Sequence, residues 1–125
     1  MKFLLDVNVV LAAIWTTHLQ HGSAAAWLAD KEVVLCPITE LGFIRISTNK
    51  KAINVEMEKA REALNKFIAD LKADRIPDDL PALNSHPRTS EQVTDHYLAD
   101  LAAKHGLMLA TFDAQLKHPS AELVC

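Results

Sequence analysis

Two cysteines in 125 residues, Cys36 and Cys125, provide no spaced framework for a disulfide scaffold. The pair suggests a reducing compartment, and Cys36, inside VVLCP, reads as a small buried hydrophobe. An excess of positive charge is missing too. Thirteen Lys and Arg against sixteen Asp and Glu give a formal charge of -3, so the chain lacks the broad basic footprint that holds nucleic acid by phosphate neutralisation alone. A nucleic-acid substrate would then need local basic residues or bound cations. No stretch approaches the ~20 apolar residues that span a bilayer. The opening MKFLLDVNVVLAAIW superficially fits a signal peptide, but its longest apolar run, Val9 to Trp15, is short and follows the carboxylate of Asp6. There is no internal repeat and no low-complexity tract. These absences leave a folded, soluble domain spanning 1–125, expected in the cytoplasm.

What is present is globular: half the residues are hydrophobic and 23% are charged. Short β-branched or aliphatic runs (KFLL, VVLCP, DRIP, LMLAT, AELVC) alternate with segments of helical period (VNVVLAAIW, SAAAWLADK, TELGFIRIS, VEMEKAREALNKFIADL, EQVTDHYLADLAAKH). That alternation predicts crossover units and an α/β fold, a three-layer α/β/α sandwich around a central parallel sheet. Residues 76–89, with prolines at 77, 81 and 87, read as a connector within the domain.

Four acids stand out against this framework. Asp6 closes the first apolar strand and Asp113 directly follows LMLATF, so both belong at the carboxyl edge of the sheet, where open parallel sheets bind ligands. Glu40 opens the helix after Pro37 and shares a face with Phe43, Ile44 and Ser47. Asp95 shares a face with Leu98, Ala99 and Ala102, whereas Asp100 falls with His96, Ala103 and Lys104 on the polar side. Carboxylates converging on one edge repel one another unless a cation compensates them. An all-oxygen donor set favours Mg²⁺ or Mn²⁺, ions that activate water and offset the charge developing at a phosphodiester. A single such acid is more often a helix cap or a dipole partner; it is the four together that point to a metal site.

The blocks LLDVNVVLAA, ITELGFIRISTN, TDHYLADLAAKHG and LATFDAQL resemble, in order and spacing, the signature blocks of PIN-domain ribonucleases, specifically the VapC-type toxins of bacterial toxin–antitoxin pairs. The resemblance spans nearly the whole chain. It implies a metal-dependent endoribonuclease whose acidic quartet falls on Asp6, Glu40, Asp95 and Asp113, with Asp6 and Asp95 as principal ligands of Mg²⁺ or Mn²⁺. It also implies a homodimer and a small cognate VapB-type antitoxin that blocks the active site.

Residues around the quartet carry two readings each. Asn8 either caps the VVLAAIW helix or orients the carboxylates. Thr111 either bonds a carboxylate or is a plain strand threonine. Arg45, off the Glu40 face, reads as a structural ion pair, with phosphate or partner contact as the alternative. Lys50 and Lys51 read as a solvated pair, or as a local positive edge for RNA. His18 and His21 lie in a polar loop without an HExxH pattern and read as surface residues; His86, His96, His105 and His118 read as surface or helix-end residues. Trp15, Trp27, Phe67 and Tyr97 read as core or interface aromatics. On the long helix, Met57, Ala60, Leu64, Phe67 and Leu71 form the apolar side, with Glu62 and Lys66 as an exposed pair. Two rival functions are weaker. Dehalogenase-like phosphatases require D-x-D where this chain has D-x-N, and a catalytically silent PIN-fold binding module would not need all four acids.

Overall fold

The computed structural model describes residues 1–124, and Cys125 lies outside them. Five strands form one parallel sheet: β1 (Lys2–Leu5), β2 (Glu32–Leu35), β3 (Asp74–Arg75), β4 (Met108–Thr111) and β5 (Ala121–Leu123), in the order β3-β2-β1-β4-β5. Five helices cover it: α1 (Val7–Ile14), α2 (His21–Leu28), α3 (Pro37–Thr48), α4 (Met57–Leu71) and α5 (Val93–Lys104). Among the described residues, no helix is long and apolar enough to cross a membrane.

Side-chain alternation along the strands divides the core. Phe3, Leu5, Val33, Leu35 and Ala110 face one way and pack with Val9 and Val10 of α1, Phe43 of α3 and Leu64 and Phe67 of α4. Leu4, Val34, Cys36 and Leu109 face the other way, against Leu98, Leu101 and Ala102 of α5. The three layers are therefore unequal, four helices on one face and α5 on the other. Because the three central strands β1, β2 and β4 are buried on both faces, they read as continuous apolar runs, while the edge strands β3 and β5 are largely exposed.

The aromatics are core residues. Trp15 stacks on Phe43 with centroids 5.7 Å apart and donates through Nε1 to Ser47 Oγ at 2.9 Å, and Phe3 meets Trp27 edge-on at 4.8 Å. On α4 the apolar face differs from expectation at its start, where Met57 is exposed. The ion pair on its outer side is Lys66 with Asp70, at 2.6 Å, rather than with Glu62. The connector 76–89 lies along α5. Tyr97 donates its hydroxyl to the Leu80 carbonyl at 2.6 Å, and His105 Nε2 lies 2.7 Å from Asp79 Oδ1.

The strand order reverses direction between β1 and β4. Each lies next to the other, yet their following segments turn to opposite sides of the sheet. Ligands of open α/β sheets bind in the crevice at such a reversal. Asp6 and Asp113 leave the sheet there.

Candidate active site

Asp6 is the residue at which β1 becomes α1. Its backbone N–H still bonds across the sheet to the Ala110 carbonyl at 3.1 Å, and its side chain already accepts from the Val9 N–H at 3.1 Å as the helix N-cap. The cap is therefore Asp6 and not Asn8. Asn8 lies one residue inside the helix, exposed, and lines a cleft of about 440 Å³ together with Asp95, Arg45, Glu91 and Thr94. Asp6 itself is only 2% exposed. Burial pushes its carboxyl above the usual range, opposed by the Thr111 hydroxyl and by the Val9 and Asn8 N–H groups, with the nearby charge of Asp113 pushing the same way as burial.

Thr111 is a buried link between two carboxylate positions. Its hydroxyl is near enough to lower the Asp6 carboxyl, and its Oγ1 accepts from the Asp113 N–H at 3.0 Å. The hydrogen bond it makes is thus to the Asp113 backbone rather than to a carboxylate oxygen. Asp113 Oδ1 in turn accepts from the Gln115 N–H at 2.9 Å, an Asx turn that sets its direction.

Asp95 sits in the first turn of α5, half-buried. Burial first, then the charges of Asp6 and Asp113, push its carboxyl up to about 7. Three aspartates from β1, α5 and the end of β4 thus share one electrostatic environment. Among the described residues the oxygens of these three do not all lie within 4.8 Å of one another; a hard divalent cation, which keeps several waters of its own, is the charge that would offset their repulsion.

Glu40 is held apart from the three. Arg75, on edge strand β3, donates to it twice, Nε to Oε2 at 2.9 Å and Nη2 to Oε1 at 2.6 Å. Glu40 lines a separate cleft with Arg61, Glu62 and Asn65. It does point inward, as its helical face predicts, but toward β3 and α4 rather than toward Asp6. Arg45 differs from expectation as well: it forms no ion pair among the described residues and instead borders the cleft of Asp95.

Asp100 and His118 are not surface residues. His118 Nε2 lies 2.7 Å from Asp100 Oδ1, His96 Nδ1 lies 3.2 Å from Oδ2, and Ser85 Oγ lies 3.0 Å from His96 Nδ1. Burial raises the Asp100 carboxyl, but hydrogen bonds from His118 and Ser85 and the two imidazoles outweigh it, leaving Asp100 below its usual range. One ligand atom from each of His96, Asp100 and His118 falls within 4.8 Å of the others, a spacing that suits an ion. The hydrogen bonding fills that role differently. His118 Nδ1 accepts the Ser120 N–H at 2.9 Å, so its proton resides on Nε2 and is spent on Asp100. The cluster is a clasp tying the 112–120 turn and the connector to α5. The i, i+4 spacing of His96 and Asp100 is visible in the sequence, whereas His118 and Ser85 join them only after folding.

The histidines near the N-terminus also serve the backbone. His18 Nδ1 accepts the Gln20 N–H at 3.0 Å, and His21 Nδ1 lies 2.8 Å from the Ala12 carbonyl. Lys50 and Lys51 are both exposed.

With this geometry in view, the PIN-domain family model matches residues 3–122. The chain belongs to the PIN-domain family. Among curated relatives, this PIN domain is 35% identical over 124 residues to "Ribonuclease VapC38" of Mycobacterium tuberculosis, covering 89% of this chain and 84% of that protein. It is likewise 35% identical over 131 residues to "Ribonuclease VapC39" of the same organism, covering 93% and 91%. Among solved structures, the crystal structure of VapBC2 from Rickettsia felis bound to a DNA fragment from their promoter matches with a TM-score of 0.64 at 15% identity, over 98% of this chain and 97% of that one. That likeness agrees with the parallel α/β architecture of this PIN domain.

Proposed function

We propose that this PIN domain is a metal-dependent endoribonuclease, the toxic component of a type II toxin–antitoxin pair, held inactive by a cognate VapB-type antitoxin and acting as a homodimer on RNA. The observation that carries the catalytic part is the convergence of Asp6, Asp95 and Asp113 at the reversal of strand order, with the Asp95 carboxyl pushed up to about 7. The names of its relatives, ribonucleases of the VapC type, support the substrate and the biological setting.

In this reading Asp6, Asp95 and Asp113 hold Mg²⁺ or Mn²⁺, and Glu40 completes the set at its outer side, through water. Such an ion, when bound, supplies Lewis acidity that activates water and balances charge developing on the scissile phosphate. The chain's own residues do the rest. Thr111 holds the Asp113 backbone beside the Asp6 carboxylate, and the Val9 N–H keeps Asp6 from rotating. Asp95 gives up the proton from its carboxyl oxygen when the site is loaded. Its position at the mouth of the cleft, beside Asn8 and Arg45, faces it to the substrate.

Purified protein incubated with RNA and Mg²⁺, beside Asp6→Asn and Asp95→Asn variants, tests the proposal. Asn is itself a good N-cap, so Asp6→Asn keeps the α1 start while removing the charge. Internal cleavage by the parent, abolished by chelator and by both substitutions, is the expected result; equal cleavage by parent and variants would overturn it. Co-expression with a short reading frame encoded beside the gene tests the antitoxin: restored growth and a co-purifying complex are expected.

A further inference from the structure

A second cleft, of about 600 Å³, includes Asp113 and shares Glu91 with the cleft of Asp95. One wall is the segment 86–92, carrying His86, Arg88, Thr89 and Gln92; the other is the turn after β4, carrying Gln115 and Lys117. Asp113 lies in the cleft, and so does His96, fixed in place by Ser85 and Asp100. The walls are tied together, since Gln92 Nε2 donates to the Gln115 carbonyl at 3.1 Å. Lys117 is anchored through a bond to the Ala114 carbonyl at 3.2 Å.

Two features say what this cleft takes. First, every residue lining it is polar or charged. The cleft that Ser85, Pro87 and Val93 of the same segment help to line is more apolar, with Ile38, Leu80, Ala82 and Tyr97 beside Asp78 and Thr94. A mainly apolar trough suits a protein partner, whereas one lined by polar and charged side chains suits a nucleic-acid backbone, whose interfaces are more polar and more positive. Second, Arg88 and Lys117, which like Arg45, Lys50, Lys51, Lys59, Arg61 and Lys72 form no ion pair among the described residues, stand on the two walls of this cleft. Both are exposed. With Asp113 committed to the cation of the proposed site, the cleft presents two free cations against Glu91 alone.

We infer that this polar cleft is the track along which a single RNA strand approaches the aspartates, with Arg88 and Lys117 gripping backbone phosphates from its two walls and Thr89, Gln92 and Gln115 offering uncharged hydrogen-bond partners to ribose and base edges. The inference rests on the nuclease reading for the identity of its substrate. It explains how a chain with net negative charge engages a polyanion: the basic contacts are few and local.

The test separates binding from cleavage. In the Asp95→Asn background, with Mg²⁺ present, affinity for a short fluorescein-labelled single-stranded RNA is measured by anisotropy across a salt series. Arg88→Ala and Lys117→Ala are each expected to weaken binding about three- to tenfold and to flatten the slope of log affinity against log salt by about 0.7, one phosphate contact on a single strand. Lys59→Ala, an exposed lysine on α4 at the other face of the sheet, is expected to leave both unchanged. Thermal melts verify that the surface variants stay folded. Parent-like affinity and slope in both cleft variants would overturn the inference and give the cleft to another partner. If the parent cleaves RNA while the cleft variants bind normally, only the track fails. If the cleft variants lose binding while the parent cleaves nothing, the track stands and the nuclease reading fails.

Discussion

Arg75 grips Glu40 with both ends of its guanidinium fork, at 2.9 and 2.6 Å, drawing the side chain toward β3 and away from Asp6. A bidentate pair of this kind is directional as well as electrostatic. Glu40 is the least exposed partner, its side chain 16% exposed against 61% for Arg75. Glu40→Gln is therefore expected to lower RNA cleavage by about 10–100-fold, the cost of an outer carboxylate acting through water. Asp6→Asn and Asp95→Asn should cost at least a further order of magnitude. Initial cleavage rates at saturating Mg²⁺ compare them. A loss for Glu40→Gln as large as that for Asp95→Asn would place Glu40 directly on the ion.

The way Glu40 departs from its companions shows where reading residues in order stops being sufficient. Strand ends and helical period bring Asp6, Asp95 and Asp113 to one edge, because each depends on a local periodicity and on the reversal of the sheet. The same period says that Glu40 faces inward, but α3 packs against both α1 and α4, so inward has two directions. Only the position of Arg75 on β3 chooses between them. Asn8 illustrates a boundary two residues off: the helix begins at Val7, which makes the carboxylate before it the cap. Asp100 lies on the polar side of α5, as a helical wheel places it, yet the turn after β4 folds over that side and delivers His118 from 18 positions away. A wheel describes one helix and is blind to what later covers it.

The raised carboxyl of Asp95 predicts a pH dependence with a definite sign. The folded protein holds this proton up to about pH 7, whereas an unfolded aspartate releases it near 3.8. Between those values the native state binds more protons than the unfolded one, so the Asp95 contribution makes metal-free protein less stable as pH rises from about 4 to 7. Asp95→Asn removes that slope. Thermal melts in chelator are expected to converge for the two proteins near pH 4 and to favour the variant above pH 7. Mg²⁺ competes with the same proton, so its apparent affinity, followed by calorimetry, should rise with pH to about 7 and then level off. A metal affinity independent of pH from 5 to 8 would contradict the assignment.

Thr111 makes a prediction that separates its link from its packing. Thr111→Val keeps the shape but removes the hydroxyl that lowers the Asp6 carboxyl and accepts the Asp113 N–H. Loss of such a partner to a carboxylate ligand lowers metal affinity or activity about 10–100-fold. Leaving the Asp113 N–H without its acceptor adds about 1–3 kcal/mol of destabilisation. Thr111→Ser, which restores the hydroxyl and loses only a methyl, should recover most of the activity. If Val and Ser behave alike, the threonine acts by packing alone.

Gly42 controls how closely α3 approaches α1, the helix that carries Asp6 at its start. A Cβ built on Gly42 would stand 2.6 Å from Val7 Cγ2 and 3.3 Å from Cγ1. Val7 is β-branched and stiff within the helix, so it has no easy way to yield. Gly42→Ala gains about 1 kcal/mol of helix propensity, but overpacking of this kind costs about 1–3 kcal/mol. The net expectation is a lower melting temperature together with reduced cleavage, since Val7 adjoins Asp6 and lines the cleft of Asp95. Val7→Ala in the same background removes the obstructing methyls and should restore the melting temperature toward that of Val7→Ala alone. A double-mutant cycle reads the coupling directly, and additive effects would mean that the two helices are free to move apart.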